Sequence, residues 1–137
     1  MTDRDAVSFF IEGVPIPQGS KTVSQAKGRA WLRDANAARL KPWRHVVATH
    51  ADLGVTFDCP VTVTLSFVLP RPQKPRWAVP AVKPDIDKLT RAVLDGLTDG
   101  GLLADDARVV DLIVRKRYPN PGDLTGVGID VTEWRNT

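Results

Sequence analysis

Nine residues, Val61-Thr62-Val63-Thr64-Leu65-Ser66-Phe67-Val68-Leu69, place apolar side chains at odd positions and polar ones at even positions as far as Val68. Successive side chains on a strand point to opposite faces, so this stretch specifies a strand with one buried face. Such a strand needs a sheet around it and a layer to cover its apolar side. The rest of the chain supplies both. Val7, Phe9 and Ile11 alternate with Ser8, Phe10 and Glu12 as a first strand, and Val109 to Arg117 and Val127 to Val131 read as two more. A helix is expected from about Asp85 to Leu97, with Ile86, Leu89, Val93, Leu94 and Leu97 in one apolar stripe and Gly100-Gly101 closing it. Pro42 suits the first turn of another helix, which carries Trp43, Val46, Val47, His50 and Ala51. The fold class expected is α+β: one small domain over residues 1–137, a mixed β-sheet packed against two helices.

Two segments resist regular structure. Residues from about 20 to 36 are polar and basic with little periodicity, and read as a long basic loop. Pro70 to Pro84 contains five prolines and several cations, which favours an extended connector over a helix.

Composition excludes several classes. With 137 residues, 42% hydrophobic and 26% charged, the chain can bury a core, which argues against disorder. No apolar run approaches the roughly 20 residues of a membrane-spanning helix, so no membrane partner is expected. A single cysteine, Cys59, rules out a disulfide framework and a Cys-rich zinc site. The acidic opening residues show no secretory signal, and a cytoplasmic setting is expected.

The net charge of +3 hides a pattern. Residues 21–44 carry seven Lys or Arg against one Asp, and residues 71–91 carry six against two. Residues 92–114 carry five Asp against Arg108, and Arg115-Lys116-Arg117 follows. Basic blocks around an acidic one suit a polyanion held by cations and handled by carboxylates; solvated surface accounts for the same charges equally well.

The acidic residues cluster in a telling way. Asp85 and Asp87 lie two apart at a helix start, and Asp105-Asp106 follows the helix and its Gly-Gly turn. If the chain doubles back, Asp106 meets Asp85 and Asp87. Three carboxylates together repel and call for a cation, and Mg²⁺ prefers such oxygen donors. A plainer account makes Asp85 an N-cap, Asp87 a partner of the helix dipole and Asp105-Asp106 a turn. Lys83, Lys88 and Arg91 beside the carboxylates favour phosphate chemistry, because capping does not require them.

These residues resemble the RusA family of Holliday junction resolvases. The family motif, Asp-x-Asp-Asn-Leu-x-Lys followed by an aspartate and then an Asp-Asp pair, stands here as Asp85-Ile86-Asp87-Lys88-Leu89-Thr90-Arg91, Asp95-Gly96-Leu97 and Leu102-Leu103-Ala104-Asp105-Asp106. Val109-Val110-Asp111-Leu112 with Lys116, and the opening Phe9-Phe10-Ile11-Glu12-Gly13-Val14-Pro15, continue the match. The resemblance implies a dimeric endodeoxyribonuclease of phage or prophage origin that resolves four-way DNA junctions in recombination and repair, leaving 5′-phosphate and 3′-hydroxyl ends. It implies Asp85, Asp87 and Asp106 as Mg²⁺ ligands, with Mn²⁺ as a substitute. Arg91 stands where the family has a catalytic lysine, and Lys88 where it has asparagine. Arginine holds phosphate but does not readily release a proton, so Lys88 is the substitute if proton transfer is needed. Asp105 is the weaker metal candidate and is expected to end the turn. Lys21, Lys27, Arg29, Arg71, Lys74, Arg76, Lys83, Lys88 and Lys116 are the candidate DNA contacts. The alternative is a non-catalytic protein of the same fold that binds branched DNA, or one directed to flaps or single strands.

Other signals lead elsewhere. Gly13 to Lys21 lacks the spacing of a phosphate loop, so no nucleotide cofactor is expected. His45 and His50 do not share a helix face as zinc ligands would. Cys59 has no identifiable catalytic partner and is expected to be buried as a small apolar group. Trp43 is assigned to the core and Trp134 to the end of the last strand, whereas Trp31 and Trp77 lie in basic segments and could stack on bases.

Overall fold

The structure, a computed structural model, describes residues 5–19 and 27–136, and for residues 27–37 the backbone only. Its elements are β1 (Ala6–Glu12), α1 (Lys27–Ala51), β2 (Val61–Val68), α2 (Ile86–Asp99), a single 3-10 turn (Asp106–Arg108), β3 (Val109–Arg117) and β4 (Gly126–Glu133). The strands form one mixed sheet in the order β1-β4-β2-β3. β4 runs antiparallel to both β1 and β2, and β2 runs parallel to β3, with α2 in the connection between them. A parallel pair needs a crossover of a dozen or more residues, which the proline connector and α2 provide.

β2 is the core of the sheet. Val61, Val63, Leu65 and Phe67 are fully buried, and the intervening Thr62, Thr64 and Ser66 sit half-buried on the other face. Burying one such apolar side chain stabilises by roughly 1.5–3 kcal/mol, and a slip of one residue would forfeit all four. Val127, Ile129 and Val131 of β4 and Ile11 of β1 extend this face. Trp43, Val47 and Ala51 of α1 and Leu89, Ala92, Val93 and Leu97 of α2 cover it. The described helices therefore lie on one side of the sheet. No helix among the described residues is long and apolar enough to cross a membrane.

The structure corrects two expectations. The basic stretch from residue 27 onward is helical backbone rather than loop, and Pro42 lies inside α1 rather than at its start. Proline leaves the carbonyl four residues earlier without its N–H partner. Ala38, Arg39, Lys41 and Pro42 are all exposed, so water can take that carbonyl. Residues 20–26 lie outside the described residues.

The two helices meet through glycine. A Cβ on Gly96 would stand 2.7 Å from Val47 Cγ1, and one on Gly100 would stand 2.2 Å from the Ala48 carbonyl oxygen. Only hydrogen fits at either position, so these glycines set the distance at which α1 supports α2. Residues 69–85 form the expected connector without a helix or strand, and it leads into the first turn of α2.

Candidate active site

The helix start places the first carboxylates. Asp85 is the N-cap residue of α2, with extended backbone angles (φ −69°, ψ 141°), and its carbonyl accepts the Leu89 N–H at 3.1 Å. Its carboxylate makes no capping hydrogen bond. Instead it stands half-exposed, with Lys88 Nζ at 3.9 Å. The capping account of Asp85 thus fails for the side chain. Asp87, in the first turn, faces a cavity of about 780 Å³ whose lining also includes Lys88, Arg91 and Asp106. Asp85 does not line that cavity. Among the described residues, no three Asp, Glu, His or Cys side chains are gathered closely enough to hold a metal ion.

Two members of the expected apolar stripe belong to this cavity. Ile86 is 38% exposed and Leu94 half-buried, and both line the cavity wall with Leu112 and Val114 of β3. The buried face of α2 is instead Leu89, Thr90, Ala92, Val93, Gly96 and Leu97. Thr90 turns its hydroxyl back to the Ile86 carbonyl at 2.7 Å, so a polar residue lies at the cavity floor without an unpaired donor. From the opposite side, Gln18 N–H donates to the Lys88 carbonyl at 3.0 Å and straps the segment after β1 against α2. The Gln18 Oε1 is buried without a partner among the described residues.

Asp106 arrives from the other end of α2. Asp105 is the N-cap of the 3-10 turn, its carboxylate accepting the Ala107 N–H at 2.8 Å. Asp106 accepts the Thr98 hydroxyl, and its carboxyl lies close to that of Asp95. Burial first, then this contact and the Asp106 charge, push the Asp95 carboxyl above its ordinary value, while Arg44 and Arg91 pull it back. Asp95 and Thr98 were not among the sequence candidates for the site. Asp95 is the motif aspartate, to which the sequence assigned no role, and Thr98, three residues on along α2, shares its face.

The candidate DNA contacts divide. Arg71, Lys74, Arg76 and Lys83 are exposed along the connector. Arg76 lies over the Trp77 ring at 4.9 Å, occupying one face of an indole that is 48% exposed. Lys116 is used differently: its Nζ donates to the Val82 and Pro84 carbonyls, both at 3.0 Å, and so ties the connector to β3 just before Asp85. Its ammonium is a structural clamp. Lys21 lies outside the described residues, as do the side chains of Lys27, Arg29 and Trp31.

The remaining assignments are simple. Trp43 is buried. Trp134 N–H donates to the Pro60 carbonyl beyond β4. His45 and His50 are exposed. Cys59 is half-buried rather than buried, and burial with the Glu133 and Asp58 charges raises its thiol, which disfavours the nucleophilic thiolate.

A small α+β domain that gathers two aspartates, a lysine and an arginine around one open cavity has the chemistry of a phosphodiester-handling protein. The endodeoxyribonuclease RusA family model matches residues 12–132, and the chain belongs to that family. It is also 28% identical over 127 residues to the uncharacterized protein YqaN of Bacillus subtilis (strain 168), an alignment that covers 83% of this chain and 89% of that one.

Proposed function

We propose that this chain is a Mg²⁺-dependent endodeoxyribonuclease that resolves four-way DNA junctions by paired phosphodiester hydrolysis, as a homodimer. One observation carries the reading: Asp106, from beyond the far end of α2, lines one cavity with Asp87, Lys88 and Arg91.

The donor set fits Mg²⁺, or Mn²⁺ in its place, by its chemistry. It offers hard carboxylate oxygens and no thiolate or imidazole. The contact between Asp95 and Asp106 is also one that a cation or proton must offset. Asp87 and Asp106, which line the cavity, would hold the ion with water completing its shell, and Asp85 stands outside that lining. When bound, a divalent ion polarises a phosphoryl oxygen and lowers the pKa of water. The chain's own residues do the rest. Arg91 offers a fork of N–H donors to a phosphate and stabilises charge building on it. Lys88, whose ammonium stands 3.9 Å from Asp85, is the candidate substitute for the family lysine if proton transfer is needed. The exposed Arg71, Lys74, Arg76 and Lys83 hold the backbone of the arms, a contact that reads shape rather than sequence. A junction has two-fold symmetry and needs two nicks, which two copies of one site deliver.

The test is a synthetic four-way junction incubated with the protein, with and without Mg²⁺, beside Asp87→Asn. Symmetric nicking that needs Mg²⁺ and is lost in Asp87→Asn, with binding retained, supports the reading. No nicking by the natural chain, with both proteins binding alike, makes it a binding protein. Equal cutting of flaps or single strands removes the junction preference.

A further inference from the structure

The proline connector carries an aromatic side chain that the fold does not use. Trp77 is 48% exposed, and it belongs neither to the buried core nor to the partly buried side chains packed on it. An indole has one of the largest apolar surfaces of any side chain, and one left in solvent among cations is suited to stacking. Arg76 lies over one face of the ring, 4.9 Å from its centroid, so the exposure falls to the opposite face and the edge. The guanidinium is attracted to the π-system and steadies the ring.

The arm that presents Trp77 is stiff. Five prolines fall between residues 70 and 84. Pro80 is buried, and the Ala81 N–H donates to the Val79 carbonyl at 2.7 Å in a tight turn around it. Lys116 then holds the Val82 and Pro84 carbonyls. Asp85 follows Trp77 by eight residues, a stretch that spans at most about 28 Å. The ring is thus held at a bounded distance from the candidate active site.

The surrounding charge selects the occupant. Residues 70–84 hold Arg71, Lys74, Arg76 and Lys83, all exposed, and no Asp or Glu. Such a surface suits a polyanion that also offers flat π-faces, which is nucleic acid. The other exposed aromatic side chains lack this setting. A Cβ on Gly126 would stand 2.9 Å from the Phe10 ring, so that ring lies on strand backbone. Trp134 follows Glu133, and Arg135 beside it is paired with Asp5. In a continuous duplex each base is stacked on both faces by its neighbours. Where helices part at a branch, a base at the point of exchange loses one of those neighbours.

We infer that the open face of Trp77 stacks on such a base at the branch point of DNA and so tells a junction from a continuous duplex, while the cations of the connector bind phosphate in either. The inference rests on the branched-DNA reading above and names the residue that senses the branch.

The experiment is photo-cross-linking of the natural chain, in Mg²⁺-free buffer, to a synthetic four-way junction carrying 5-iododeoxyuridine either at the branch or in the middle of an arm. This base couples on irradiation to an aromatic ring stacked on it, and mass spectrometry locates the joined residue. Coupling to Trp77 is expected from the branch and not from the arm. Equilibrium binding in the same buffer is the second readout. Trp77→Ala and Trp77→Leu are expected to lose about 5- to 150-fold in junction affinity, the worth of one base stacked on an aromatic ring, with linear-duplex affinity unchanged. Trp77→Phe is expected to keep most of the junction affinity. Circular dichroism checks that the variants fold, and the cross-link needs no variant. Both readouts are taken without cutting, so failure of the proposed hydrolysis and failure of this inference are told apart. Coupling that misses Trp77, or that arises equally from branch and arm, overturns the inference. So does a natural chain that binds junction and duplex alike, or a Trp77→Ala chain that keeps the junction preference or weakens on both DNAs equally.

Discussion

Thr98 donates its hydroxyl to Asp106 and so ties the carboxylate after the Gly-Gly turn to the last turn of α2. The carboxylate is thereby held in one orientation toward the helix that also carries Asp87. Partners of this kind, one step removed from a metal, change affinity or activity by about 10- to 100-fold when removed. Thr98→Val keeps the volume and loses the hydroxyl. It is expected to raise the Mg²⁺ needed for half-maximal junction cleavage and to lower the rate within that range. Thr98→Ser is expected to restore both. Mn²⁺ binding followed by electron paramagnetic resonance reads the same effect without turnover.

Lys116 and Lys74 carry the same charge and are expected to fail differently. Lys116 is fixed to two connector carbonyls, whereas Lys74 is exposed. Lys116→Met removes charge-assisted hydrogen bonds of about 1.5–3 kcal/mol. It should speed hydrogen exchange around the start of α2 and slow nicking, with junction affinity nearly unchanged. Lys74→Ala should instead weaken binding and lower the slope of log affinity against log salt by about 0.9, the signature of one lost phosphate contact. An unchanged salt slope in Lys74→Ala would remove it from the DNA surface.

Gly96 and Gly100 are expected to resist enlargement even to alanine. A methyl group at Gly96 meets Val47 Cγ1 at 2.7 Å and Cβ at 2.8 Å, and one at Gly100 meets the Ala48 backbone oxygen at 2.2 Å, the closer clash of the two. Overpacking costs about 1–3 kcal/mol. Gly96→Ala should fall within that range and Gly100→Ala above it. Chemical denaturation of the two variants checks the order. Their effect on nicking should follow the stability loss, since neither residue lines the cavity that Asp87 and Asp106 share.

Much of this arrangement is written in local patterns. The alternation of Val61 to Leu69 and the breadth of the β3 segment at Val109–Arg117 match the strands found, because side chains two apart must share a face. The Asp-x-Asp pair and Asp105-Asp106 sit where a helix start and a turn place them. Tertiary choices were hidden. Pro42 reads as a helix start from its own chemistry, and only the solvent beside it lets α1 run through. Ile86 and Leu94 read as core from their spacing, but α2 is rotated so that Leu89, Val93 and Gly96 take that role. Lys116 reads as a phosphate contact by its charge; its clamp on Pro84 depends on where a distant connector passes.

The turn after β3 carries a pH dependence of definite sign. Arg117 donates to Asp123 at 2.8 Å, and the Asn120 N–H donates to the same oxygen at 3.0 Å. The Arg117 hydrogen bond first, then that of Asn120, holds the Asp123 carboxyl below its ordinary value. A carboxyl depressed in the folded state stabilises that state above its unfolded value, and the contribution is lost as pH falls through the folded value. Asp123→Asn is therefore expected to lower the thermal midpoint slightly near pH 7 and to leave it unchanged at a pH where Asp123 is protonated in both the folded and the unfolded natural chain. The loss should shrink with added salt, because the carboxylate is at the surface. Thermal melts of the two chains from pH 7 down to pH 3, at low and high salt, measure the gap. A gap that stays constant across this range would show that Asp123 acts through its shape rather than its charge.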